Sequence, residues 1–270
     1  MNAIWIVVAF AAGAAAGGGA AWVAFKKEQV RYGKLLAFML HELNTPLTSL
    51  HMTVLNFLQG VFGPLPKDQE SWINVLREQT TRLGYLMGDT RDFVHMQFHR
   101  DLKPHPEPVA LAATLAELLS QMESSLSRGG VEIVRQFAEG LPDAAADKDQ
   151  IQRILYAVIA NARKFQSGGK VFLELQQLPP QPNAARRELE LIVSYQGPKV
   201  TPDNAAAMLD LFYPMRRRND SDVLPCVGLG LGFCRELLER QEGTLTFEVE
   251  ESGLSRIRVR LPVSAVSGRM

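Results

Sequence analysis

A chain of 270 residues with 46% apolar and 21% charged side chains has room for about two domains and enough apolar surface to fold over most of its length. Its 29 basic and 29 acidic residues cancel, which excludes the positive field that nucleic-acid binding requires, so no nucleic-acid partner is expected. Two cysteines, Cys226 and Cys234, supply neither a disulfide framework nor metal-ligand spacing, which suits a reducing cytoplasm and gives no metal held by protein side chains alone.

Residues 4–25, IWIVVAFAAGAAAGGGAAWVAF, carry no charge and are long enough to cross a hydrocarbon core as one helix. Lys26, Lys27, Arg31 and Lys34 follow, which places the C-terminal side in the cytoplasm. A cleaved signal peptide is the rival reading, but no basic segment precedes the apolar run, and the run is long for one. The expectation is a single-pass anchor, residues 1–25, in the inner (cytoplasmic) membrane. Gly13 and Gly17 form a small-xxx-small pair that would let two such helices approach closely, although a bland Ala/Gly span reads equally well.

Apolar residues then repeat in steps of four and three: Leu36, Leu40, Leu43, Leu47, Leu50, Val54 and Phe57. This spacing predicts one apolar seam along a helix, continuous with the anchor. GVFGPLP, residues 60–66, holds two glycines and two prolines and must break that helix. A second seam follows through Trp72, Leu76, Leu83, Leu86 and Phe93, interrupted by Gln79 and Thr90. Two such helices form an antiparallel hairpin, and pairing two hairpins as a dimeric four-helix bundle covers the seam left wet by one.

From Lys103 the pattern becomes mixed. KPHPEPV reads as extended chain, 111–126 as a helix, 131–137 as a strand and 149–165 as a helix. Residues 170–178 and 188–195 read as strands, 231–241 as a helix, and 244–250 and 255–263 as a closing hairpin. Helices with antiparallel strands in this order predict an α+β sandwich, helices on one sheet face. The organisation is therefore multi-domain: an anchor at 1–25, a helical hairpin domain at 26–102 and an α+β domain at 103–265.

Within the first seam lies FMLHELNTPLTSL, residues 38–50. His41 follows seam residue Leu40, so its imidazole sits on the shoulder of the helix and faces water. Glu42 adjoins it, and Thr45 is one helical turn further on. Pro46 removes an amide and crowds the carbonyl of Glu42, which is expected to bend this helix beside the histidine at a cost of about 3 kcal/mol. An exposed imidazole and carboxylate beside a strained turn favour chemistry over packing. His51 carries no adjacent acid and reads as an ordinary surface residue. His95, His99 and His105 lack the carboxylate or thiolate companions of a zinc site.

HELNTPL, with Phe38 upstream, resembles the H-box of two-component sensor histidine kinases, and GVFGPLPKDQ resembles that family's hairpin turn. Asn44 stands where a basic residue is commoner. The resemblance implies that His41 is the phosphoacceptor attacking the γ-phosphate of ATP, with Glu42 as general base. It implies that Thr45 positions water when a partner response regulator is dephosphorylated. It continues through DKDQIQRILYAVIANARKF, residues 147–165, which looks like the N-box of the family's Bergerat (GHKL-type) ATPase fold. There Asn161 would hold Mg²⁺ between the nucleotide phosphates, and Lys164 would lie near those phosphates. VGLGLGF, residues 227–233, resembles the second glycine box. Gly228, Gly230 and Gly232 would leave amides open to phosphate at a helix N-terminus. LFYPMRRR, with Phe212 and Arg216 to Arg218, loosely resembles the family's lid.

Departures fall in the nucleotide region. YQGPK aligns with the first glycine box: Gly197 is kept, Tyr195 replaces the adenine-reading Asp, and Lys199 replaces a Gly. Losing a charged hydrogen bond of that kind costs about 1.5–3 kcal/mol. Ala157 also replaces an earlier Asn of the N-box. Two readings stay open. One is a homodimeric, membrane-bound kinase that binds ATP and Mg²⁺, phosphorylates His41 and passes the phosphoryl group to an aspartate of a response regulator. The other is a degenerate homologue acting as a response-regulator phosphatase or dimeric scaffold.

Overall fold

In the computed structural model a single helix, α1 (Ala3–Leu58), runs for 56 residues and passes through Pro46 without interruption. The structure describes residues 3–99, 102–179, 186–199, 202–211 and 230–265, without the side chains of 3–26, 28–30, 99, 124, 202 and 204. The anchor expected over 4–25 is thus continuous in backbone with the hairpin helix, while its side chains lie outside the described residues. Among the described residues no helix is long and apolar enough to cross a membrane.

The glycine- and proline-rich turn ends α1, and α2 (Lys67–Val94) returns antiparallel to it. The last turn of this arm, His95–His99, is wound as a π-helix, which the heptad pattern did not signal. Gly33 of α1 is buried against it, since a Cβ there would lie 2.7 Å from the Phe98 Cβ.

The C-terminal region contains β1 (Glu107–Val109), α3 (Leu111–Arg128), β2 (Glu132–Phe137), β3 (Ala144–Ala146), α4 (Lys148–Phe165), β4 (Lys170–Gln177), β5 (Glu188–Gln196), α5 (Pro202–Ala207), α6 (Leu231–Glu239), β6 (Thr244–Val249) and β7 (Leu254–Pro262). Five strands form one sheet in the order β2-β4-β5-β7-β6, and β1 pairs with β3 separately. The expectation of an antiparallel sheet needs one correction: β2 pairs parallel with β4. The chain between them crosses over through α4, and such a connection delivers the second strand in the same direction as the first.

Alternation gives the sheet one apolar face. Val171, Leu173 and Leu175 of β4, Leu189, Leu191 and Val193 of β5, and Ile257, Val259 and Leu261 of β7 are all buried in one core. On the other face Glu190 is buried beneath two arginines, accepting from Arg260 Nε at 2.8 Å and lying 3.8 Å from Arg258. Helices α3, α4 and α6 cover the apolar face, and α4 is buried from Gln150 through Ala162 except at Gln152. Asp147 caps α4 by accepting from the Gln150 amide at 3.1 Å, and its second oxygen accepts from the His105 amide at 3.0 Å.

Candidate active site

His41, Glu42 and Thr45 are all exposed on one stretch of α1. His41 opens on a cleft of about 430 Å³ whose floor is α2 at Gly84 and Gly88 and whose far wall is α4 at Asp149, Gln152 and Arg153. Arg91 and His95 also line it. A second cavity of about 520 Å³ continues along the same helix face past Asn44, Thr48 and His51 to α3. His51 is therefore not an ordinary surface residue. It is half-buried with Nδ1 2.9 Å from Thr80 Oγ1. Burial, and then the Arg77 charge, hold its imidazole below the ordinary value.

The other predicted residues gather around the C-terminal half of α4. Asn161 is fully buried, and its amide nitrogen donates to the Ala157 carbonyl at 2.8 Å. That bond sets the amide plane and places the side-chain oxygen, a hard donor suited to Mg²⁺, at its other end. Lys164, one turn on, is exposed with Nζ 5.6 Å from the Phe165 ring centre. Gly197 follows β5 and packs against this end of α4, for a Cβ there would meet the Phe165 carbonyl at 3.3 Å and the Tyr195 ring at 3.0 Å. Tyr195 is one of the largest fully buried side chains, part of the core rather than a polar wall. Gly230 opens α6 with φ +87°. Gly232 is needed for packing, since a Cβ would sit 2.4 Å from the carbonyl of Asp210. Gly228, Phe212 and Arg216 to Arg218 lie outside the described residues.

Sequence reasoning missed the contact that joins the two groups. Arg153, buried on α4, bonds through Nε to Asp89 at 2.9 Å and through a second nitrogen to Asp92, both on α2. Gly88 lies flat under the guanidinium, so that a Cβ would be 2.6 Å from an Arg153 nitrogen. Burial pushes the Asp89 carboxyl up to about 6; the Arg153 charge opposes this and the Asp92 charge adds to it. Around the triad, the Tyr85 and Tyr156 rings meet at a tilt with centres 4.9 Å apart, Phe93 meets Phe233 at 6.4 Å, and Arg128 reaches Glu78 at 2.6 Å. A lone arginine in the apolar run of α4 was the available signal.

Two family models match the chain. Residues 31–98 match the His Kinase A (phospho-acceptor) domain, and residues 146–265 match the histidine kinase-, DNA gyrase B- and HSP90-like ATPase domain. Together they take in more than two thirds of the chain. This protein belongs to the two-component sensor histidine kinases. The signal transduction histidine-protein kinase/phosphatase MprB of Mycobacterium ulcerans is 28% identical over 83% of this chain and 42% of its own length. The sensor protein KdpD of Escherichia coli is 28% identical over 89% of this chain and 25% of its own. The chain thus spans under half the length of these relatives. Among solved structures, full-length ShkA in complex with AMPPNP superposes with a TM-score of 0.58 at 24% identity, over 87% of this chain and 47% of that one. Histidine kinase AdeS of Acinetobacter baumannii gives 0.51 at 20% identity, over 83% of this chain and 98% of that one. Both likenesses bear on the fold.

Proposed function

We propose that this histidine kinase uses ATP to phosphorylate His41 and passes the phosphoryl group to an aspartate of a response regulator. The observation that carries the reading is the exposed His41–Glu42–Thr45 stretch lying inside the phospho-acceptor match, on the same chain as an ATPase match holding Asn161 and Lys164. An imidazole nitrogen of His41 attacks the γ-phosphorus, the bond to the bridging oxygen breaks, and ADP leaves. Glu42 accepts the proton that the imidazole sheds. In transfer, a carboxylate oxygen of the regulator attacks the phosphorus, the N–P bond breaks and the imidazole takes back a proton. Thr45, one turn from His41, orients the water that later hydrolyses the regulator's acyl phosphate.

Asn161 offers an oxygen for Mg²⁺, Lys164 a cation for the phosphates, and the backbone around Gly197, Gly228, Gly230 and Gly232 the surrounding amides. Bound Mg²⁺ offsets charge that gathers on the phosphates. A second copy of the chain covers the seam, because Leu36, Leu43, Leu50, Leu76, Leu83 and Leu86 are all exposed in one chain. Residues 4–25 anchor the dimer in the inner membrane with the catalytic region in the cytoplasm, a reading supported by their length, lack of charge and flanking lysines. The domain limits remain 26–102 and 103–265.

Tyr195, buried where the family reads adenine with an Asp, supports the competing phosphatase or scaffold reading. Incubation with γ-labelled ATP and Mg²⁺ separates the two. Label on the wild type that is absent from His41→Ala is the expected result. Label appearing only in Tyr195→Asp would overturn the active-kinase reading, and label retained by His41→Ala would overturn the phosphoacceptor assignment.

A further inference from the structure

The cavity that continues from the His41 cleft carries a charge that the proposed reaction leaves unused. It holds about 520 Å³, and α1, α2 and α3 each supply part of its wall. Small-molecule sites run from about 300 to 1,000 Å³. The cavity also stays open when two chains pair. Asn44, Thr48, His51 and Leu55 line it from α1, whereas the exposed Leu36, Leu43 and Leu50 lie about 100° round that helix, at about 100° per residue. A second copy seated on those leucines leaves the cavity uncovered.

Its walls are sorted along its length. The contact between His51 and Thr80 fixes the register of α1 against α2. Antiparallel packing then puts Leu55 level with Arg77 at the end nearer the turn, and Leu47 and Thr48 level with Gly84 and Tyr85 at the end nearer His41. Arg77 Nε is buried and has no hydrogen-bond partner among the described residues. A buried donor left unmatched costs stability until water or a ligand meets it. The nearby acids are engaged elsewhere. Glu78 pairs with Arg128 at 2.6 Å, and Glu117, exposed at the rim, accepts from Gln121 at 3.4 Å. Arg77 and Gly84 are separated by about 10 Å of helix. Leu47, Leu55 and the Tyr85 ring make the apolar wall over that length, and at Gly84 nothing lies within 4 Å of a built Cβ.

A cation at one end and an apolar trough leading away from it select for one kind of guest. A bare inorganic anion leaves the trough wet, and an uncharged body leaves Arg77 unmatched. A guanidinium offers parallel donors to both oxygens of a carboxylate, and an open glycine beside a tyrosine ring accepts a flat body. We propose that this cavity binds a small organic anion, a carboxylate on a flat aromatic body, with Arg77 holding the carboxylate and Leu47, Gly84 and Tyr85 flanking the body. Binding there does not depend on the kinase reading, because none of these residues takes part in the proposed transfer.

The test is isothermal titration calorimetry on the full chain in a nonionic detergent, with the micelle blank subtracted. The probe is naphthalene-2-carboxylate, a two-ring carboxylate about as long as the trough. Its controls are naphthalene-2-carboxamide, with the same body and no charge, and acetate, with the charge and no body. The probe is expected to bind one site per chain, at least about tenfold more tightly than either control, as the loss of one charged hydrogen bond implies. Arg77→Gln is expected to weaken it by about tenfold or more, and Gly84→Leu, which fills the trough, to abolish it. Circular dichroism checks that both variants fold, and the comparison of the three probes on the wild type needs no variant. No binding of the carboxylate to the wild type overturns the proposal. Carboxamide or acetate binding as tightly overturns the class of ligand. Undiminished binding in folded Arg77→Gln or Gly84→Leu overturns the site.

Discussion

Two glycines of α2 and α6 separate packing from chain flexibility. At Gly232 an added Cβ would meet the Asp210 backbone at 2.4 Å, and backbone cannot swing aside as a side chain can. Gly232→Ala is expected to cost about 1–3 kcal/mol in urea unfolding, as overpacking does. At Gly84, mid-helix, nothing lies within 4 Å of the built Cβ. Gly84→Ala is expected to stabilise by up to about 1 kcal/mol, the helix-propensity difference. Asp89 gives a pH signature. Its folded value, about 6, is above the unfolded 3.8, so the folded state holds the extra proton in that window. Stability from this group is present below about pH 4 and is lost as pH rises through about 6. The charged groups that act on it are Arg153 from α4 and Asp92 from α2. The stability of wild type relative to Asp89→Asn, read as Tm, is expected to fall between those two pH values and to be flat above them.

At the scale of elements, α4 is the hinge of the design. It packs on the sheet with one face, on α6 with another, and on α2 with a third. Its N-cap matters accordingly: Asp147→Ala removes the bond to the Gln150 amide and is expected to cost about 0.5–2 kcal/mol in chemical denaturation. Helix α4 was legible because apolar residues recur along it with an N-cap Asp in front. The hairpin was legible for the same reason, together with its glycine- and proline-rich turn. The elements missed were short or context-dependent. β1 and β3 are three residues each, one holding a proline and the other all alanine, and they exist only because they meet. The π-turn at His95–His99 has no composition of its own and occurs where Phe98 seats on Gly33.

Over the whole molecule, the apolar residues left exposed on α1 and α2 set a prediction for assembly. Leu43 is 54% exposed and Leu50 60% exposed in a single chain. Leu43→Lys with Leu50→Lys is expected to shift the chain from dimer to monomer in sedimentation equilibrium, because each buried charge without a partner costs more than the burial it replaces.

Local order in the chain was enough to set out the hairpin, the strands that alternate in polarity, and the positions of His41, Glu42 and Thr45 on one exposed helix stretch. Those features depend on residues within a turn or a strand of each other, and periodicity records them directly. The parallel pairing of β2 with β4, the burial of Tyr195 in the core, and the meeting of Arg153 with Asp89 and Asp92 some 60 residues away needed the packed molecule. Such contacts leave no period in the sequence. They arise where separate apolar surfaces find one another, and which charges are enclosed between them is settled only when those surfaces close.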